Sequence, residues 1–143
     1  MLQADLIGPF PRSSRGNVYL LTLVCCFSGF CVVMVMKDGK GSTTVAALEQ
    51  IFNMLINPLV LYADPGPQFR DGGLAATLQK RGIFFTTAPV AAYRLTGAIE
   101  NINRILRRVM EKVLPIYTTE QGTKYIDLLD WDSATAHAAH AAN

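Results

Sequence analysis

The apolar positions fall into short runs broken by turn-forming residues, and their spacing changes along the chain. Met1 to Ile7 reads as a short strand that carries Asp5 and stops at Gly8-Pro9-Phe10-Pro11. Arg12 to Asn17 is a polar loop suited to join two strands. Val18–Phe27 and Phe30–Met36 are apolar on both faces, as expected of central strands covered by helices, with Ser28-Gly29 between them. Asp38-Gly39-Lys40-Gly41 then forms a turn, and Ser42 or Thr43 is expected to cap a helix. Val45, Leu48, Ile51, Phe52 and Leu55 recur at helical spacing and give that helix one apolar face. Pro58 stops it and starts a strand that delivers Asp64 into the turn Pro65-Gly66-Pro67.

After Gly72-Gly73 a short helix is predicted over Leu74–Lys80, closed by Gly82, and Ile83–Thr87 follows as a strand. Ala88–Thr96 has no periodicity and reads as a loop. Gly97–Leu114 is predicted helical, with Ile102, Leu106, Val109 and Val113 on one side and Pro115 at its end. Asp130–His140 is Ala-rich and helix-prone. Three consecutive strands followed by alternation predict an α/β protein: a mixed sheet, antiparallel on one side and parallel on the other, flanked by helices on both faces. No repeat or boundary divides the 143 residues, so they read as one domain.

Composition narrows this picture. Half the residues are apolar and 17% are charged, which excludes a disordered chain. A net charge of +2 does not by itself imply a nucleic-acid partner; only its distribution can. The apolar stretch from Val18 to Met36 is read as two strands around a turn rather than a membrane span, and no signal peptide is seen. Cys25, Cys26 and Cys31 have no framework spacing, which favours reduced, buried thiols and an intracellular protein.

Most of the acids, Asp38 and Asp132 among them, lie in turns or on helices where a solvated face is expected. Asp5 and Asp64 differ. Asp5 stands among Leu2, Leu6 and Ile7, where an unpaired carboxylate is costly unless it meets a cation or donors. Asp64 closes an apolar run at a strand end, where ligand sites of mixed sheets form. Glu100 opens the long helix, and Arg104 and Arg107 follow it at i+4 and i+7 on one face. His137 and His140 have no third ligand nearby and are read as surface residues.

Residues 65–99, thirty-five in all, separate Asp64 from Glu100. The local sequences are Ala63-Asp64-Pro65-Gly66-Pro67-Gln68-Phe69 and Gly97-Ala98-Ile99-Glu100-Asn101-Ile102-Asn103-Arg104, with Ala4-Asp5-Leu6-Ile7-Gly8-Pro9 upstream. Together these resemble the catalytic core of retroviral and long-terminal-repeat retrotransposon integrases, with their D,D-35-E triad. The likeness extends over essentially the whole chain. It implies a ribonuclease-H-like five-stranded mixed sheet flanked by helices, and a divalent-metal-dependent polynucleotidyl transferase that trims a DNA 3′ end and joins it to target DNA. It further implies that Asp5, Asp64 and Glu100 are the catalytic acids and hold two Mg²⁺ or Mn²⁺ ions with DNA bound. Arg94, Asn103, Arg104 and Arg107 fall where the family contacts DNA.

The resemblance implies a homodimer or higher assembly, for which the apolar Val45–Leu55 helix and the Ala-rich tail are candidate surfaces, and action in the nucleus on chromosomal DNA. The chain departs from the family pattern at Pro65, at Cys25 and in Ala92–Gly97. Two function classes therefore remain open: an active transferase, or a retroelement-derived domain with weak or no catalysis that binds DNA or protein.

Overall fold

The computed structural model describes residues 1–55, 57–71, 73–87, 97–108, 131–133, 135 and 139–140. The loop 88–96 with Arg94, the predicted helix beyond 108, and His137 lie outside these residues.

Five strands, β1 (Leu2–Ile7), β2 (Tyr19–Cys25), β3 (Cys31–Met36), β4 (Val60–Ala63) and β5 (Phe84–Thr86), form one sheet in the order β3-β2-β1-β4-β5. The first three pair antiparallel, whereas β1–β4 and β4–β5 are parallel. This is the mixed sheet that the element order predicts. Helix α1 (Gly41–Met54) supplies the long crossover a parallel pair needs. Short helices α2 (Pro67–Arg70) and α3 (Leu74–Lys80) lie between β4 and β5, and α4 spans 97–108.

Alternation along the strands divides the core into two layers. Ala4, Leu21, Leu23, Met36, Leu61 and Ala63 pack with Val45, Leu48, Ile51 and Phe52 of α1 and with Leu74 and Leu78 of α3. On the opposite face Ile7, Leu20, Val24 and Cys31 meet Ile99, Ile102 and Leu106 of α4, and Trp131. Val18–Met36 thus folds as a hairpin, and among the described residues no helix is long and apolar enough to cross a membrane.

Four expectations are corrected. Ser42 and Thr43 do not cap α1, which starts after Lys40 without a side-chain cap. Asp38 takes over the turn instead, accepting the Lys40 N–H at 2.9 Å. The apolar face of α1 is spent on its own core and is not free for a partner; Met54 and Leu55 are its exposed apolar residues. Of the thiols, Cys31 alone is buried, while Cys25 and Cys26 at the hairpin end are partly exposed. Finally, Asp132 is buried rather than solvated.

The buried Asp132 anchors a segment distant in sequence. Ser13 Oγ and Asn17 Nδ2 each donate to its Oδ2 at 2.7 Å, and Arg15 Nη1 donates to Oδ1 at 2.8 Å. Next to it Trp131 stacks on Phe10, centroids 4.7 Å apart, and donates its indole N–H to the Pro11 carbonyl. Trp131–Ser133 is a 3₁₀ turn, where a regular helix was expected; Thr135, Ala139 and His140 of the same stretch are helical. Gly8, just upstream of this loop, has φ of +139° and lies so close to β2 that a Cβ there would meet the Val18 carbonyl at 2.9 Å.

Candidate active site

The parallel register of β1 and β4 builds the site. Leu2 lies beside Leu61 and Ala4 beside Ala63, so the residue that follows each of the last pair is an acid: Asp5 after Ala4 and Asp64 after Ala63. Asp5 still belongs to β1 and is half-buried, whereas Asp64 follows the end of β4 and is exposed. Pro65 does not disturb this end, because Gly66 and Pro67 immediately start α2, which seats Phe69 in the core.

The donors that Asp5 requires are present. Its Oδ1 accepts the Leu6 N–H at 2.8 Å and its Oδ2 accepts Asn103 Nδ2 at 2.6 Å. Thr22, opposite Asp5 on β2, donates from Oγ1 to Asn103 Oδ1 at 3.0 Å. Burial pushes the Asp5 carboxyl above its ordinary value and the Asp64 charge pushes the same way; the Leu6 and Asn103 bonds and the Arg107 charge oppose them without cancelling them. The two acids are therefore close enough for the Asp64 charge to act on Asp5.

Helix α4 contributes the second wall. Ile99, Ile102 and Leu106 anchor it in the core, which leaves Glu100, Asn103, Arg104 and Arg107 on the facing side. With Arg108 these residues line a groove of about 500 Å³. Asn103 is thus a partner of Asp5 as well as a groove residue. Glu100 lies one turn before Asn103 on α4, but among the described residues no three His, Cys, Asp or Glu side chains converge closely enough to hold a metal ion. The structure brings Asp5 and Asp64 together and puts Glu100 beside the basic residues.

The donor chemistry at Asp5 and Asp64 nevertheless suits a divalent cation. Carboxylate oxygens are hard ligands of the kind Mg²⁺ takes. Among the described residues each Asp5 oxygen accepts one protein donor, which leaves it a further lone pair. The Asp64 charge adds to the cost of ionising Asp5, a cost that a bound cation would offset. Sequence reasoning missed Thr22, Arg108 and the Ser13-Arg15-Asn17-Asp132 network. Arg108 was recognisable as a further cation on the predicted helix, whereas Thr22 stands in an apolar run that reads as plain strand.

The sheet order and its flanking helices define a ribonuclease-H-like α/β protein. Residues 1–92 match the family model of the integrase core domain, and the chain belongs to that family. It is similar to the retrovirus-related Pol polyprotein from transposon 412 of Drosophila melanogaster, 22% identical over 129 residues, which cover 90% of this chain and 10% of the polyprotein. With the Gypsy retrotransposon integrase-like protein 1 of Rattus norvegicus it shares 29% identity over 100 residues, 70% of this chain and 16% of the relative. The chain therefore spans a small part of either relative. In structure it resembles the HTLV-2 integrase catalytic core domain in complex with magnesium, solved in trimeric and dimeric forms. The trimeric form superposes with a TM-score of 0.72 at 22% identity, over 96% of this chain and 80% of that one. This likeness carries the fold.

Proposed function

We propose that residues 1–143 are a DNA integrase catalytic core, performing divalent-metal-dependent polynucleotidyl transfer: trimming of an element's DNA 3′ end and its joining to target DNA. The observation that carries this reading is the register that pairs the residues preceding Asp5 and Asp64, next to a helix face bearing Glu100 and three arginines. Asp5, Asp64 and Glu100 are the acids assigned to Mg²⁺ or Mn²⁺. When bound, such ions supply Lewis acidity at the attacking and leaving oxygens. The chain's own part is to hold the carboxylates and to bind DNA phosphates along α4 and, in this reading, through Arg94. The magnesium complex of the HTLV-2 core supports the metal assignment. Action on chromosomal DNA places the protein in the nucleus.

A transfer assay on branched DNA with Mn²⁺ tests this reading. Wild-type protein is expected to give product, and Glu100→Gln none above background. Equal yields from both contradict it. That no three such ligands converge among the described residues favours a second reading, a retroelement-derived domain that binds DNA or protein with weak or no turnover. That reading predicts DNA binding with no product from either protein.

Phosphate contact by α4 has a separate signature. Arg104→Ala and Arg107→Ala are each expected to weaken binding to all DNA sequences alike and to reduce the slope of log affinity against log salt by about 1. An unchanged slope in both variants removes α4 from the DNA interface. Assembly into a homodimer or higher oligomer is also proposed, supported by the dimeric and trimeric forms of the HTLV-2 core. Light scattering at micromolar concentration should then read a multiple of the 15.6 kDa chain mass, and a monomer mass rejects assembly at that concentration.

A further inference from the structure

We propose that Thr22 is a positioning residue for Asp5, acting through the side-chain amide of Asn103. Thr22 is fully buried on β2, directly opposite Asp5 in the antiparallel register. Its Oγ1 lies 3.0 Å from Asn103 Oδ1 and 3.3 Å from the Asp5 carbonyl oxygen. Both neighbours are acceptors and a hydroxyl has one proton, so the shorter contact, to Asn103, is the better bond. That bond ties the amide oxygen to Thr22 and turns the NH₂ group toward Asp5 Oδ2, 2.6 Å away.

Turned the other way, the amide would set its oxygen against a carboxylate oxygen at that distance, acceptor against acceptor. The Asp5 carboxylate therefore sets the orientation of the amide, and the Thr22 hydroxyl, by donating to the amide oxygen, holds it there. The Leu6 N–H holds the other oxygen, so the carboxylate plane is fixed at both ends. Packing alone does not call for a hydroxyl here. Valine has the same shape, and a buried hydroxyl costs free energy unless it is bonded. β-Branching also restricts the side chain to few rotamers, which keeps the hydroxyl aimed. Supporting bonds of this kind orient metal-holding carboxylates.

The inference rests on the integrase reading only where it concerns turnover. The full chain is compared as wild type, Thr22→Val and Thr22→Ser. Two readouts need no DNA: solvent exchange of the Asn103 side-chain amide protons by NMR, and Mn²⁺ affinity from paramagnetic broadening of the amide signals around Asp5. In Thr22→Val the amide protons are expected to exchange about tenfold faster and Mn²⁺ to bind about tenfold more weakly, the range of a lost supporting hydrogen bond. Thr22→Ser restores both.

In the branched-DNA assay kcat falls in Thr22→Val while KM for DNA is unchanged. A folded Thr22→Val with wild-type amide exchange and wild-type Mn²⁺ affinity overturns the proposal. If that variant does not fold, Thr22→Cys, of similar volume but a weaker donor, is judged by the same two readouts. A wild type that transfers no DNA defeats the integrase reading, whereas the positioning role is decided by exchange and Mn²⁺ binding.

Discussion

Asp64→Asn is expected to abolish metal-dependent DNA transfer while making the metal-free fold more stable. The first effect follows from the loss of one of two neighbouring carboxylates in a site whose chemistry depends on a divalent ion. Several kcal/mol of transition-state stabilisation are at stake, which corresponds to a fall in rate on the order of 10³-fold. The second effect follows from the raised Asp5 carboxyl. Burial is its main cause, and the Asp64 charge adds to it. A carboxyl whose folded value lies above the unfolded one gives stability that is fully present below the unfolded value and is lost as pH rises through the folded value.

At neutral pH the wild type therefore carries a penalty that Asp64→Asn partly lifts. A urea titration without metal should show a higher midpoint for the variant. Adding Mn²⁺ should reverse the order, because a ligand bound only by the folded protein stabilises it by mass action. A variant with wild-type turnover, or one that gains as much from Mn²⁺ as wild type does, contradicts this account.

The largest effect on stability is expected at Asp132. Asp132→Ala leaves the buried Ser13 hydroxyl and Asn17 amide without their acceptor. Unpaired buried donors of this kind cost about 3 kcal/mol together. The Arg15 ion pair adds little, because its guanidinium side is largely exposed. For a chain of this length the change corresponds to a fall in Tm of roughly 10 °C. Burial alone would raise the Asp132 carboxyl, but the bonds from Ser13 and Asn17 and the Arg15 charge outweigh it and hold it below the ordinary value of 3.8.

The sign is the reverse of that at Asp5. Stability from Asp132 is present above that ordinary value and is lost as pH falls through the lower folded one. Asp132→Ala should thus flatten the acid limb of the stability profile as well as lower the plateau. An Asp132→Ala protein with wild-type Tm shows that the network contributes nothing.

These two residues mark what could and could not be read from the sequence. Asp5 and Asp64 stood out because an acid inside an apolar strand run, or at its end, is locally out of place, but their assignment to one site came from the resemblance. The mixed sheet was legible because each strand run is short and bounded by Gly, Pro or Asp. Helix α3 was fixed by Gly73 before it and Gly82 after it, both with positive φ. Asp132 was not legible, since its partners Ser13, Arg15 and Asn17 are 115 to 119 positions away and each looks like an ordinary loop residue.

Thr22 was hidden for a different reason. A threonine between Leu21 and Leu23 is a good strand residue whether or not its hydroxyl has work to do. The start of α1 was misread because Asp38, rather than Ser42 or Thr43, satisfies the turn.

Asp5, Asp64 and Glu100 are proposed to hold a divalent metal. Anomalous diffraction from crystals soaked in Mn²⁺, recorded for wild type and Asp64→Asn, tests it most directly. The account predicts a peak within bonding distance of carboxylate oxygens of both Asp5 and Asp64 in wild type, absent in the variant. A wild-type crystal at saturating Mn²⁺ with no peak at these acids, or a variant crystal that keeps the peak, contradicts it.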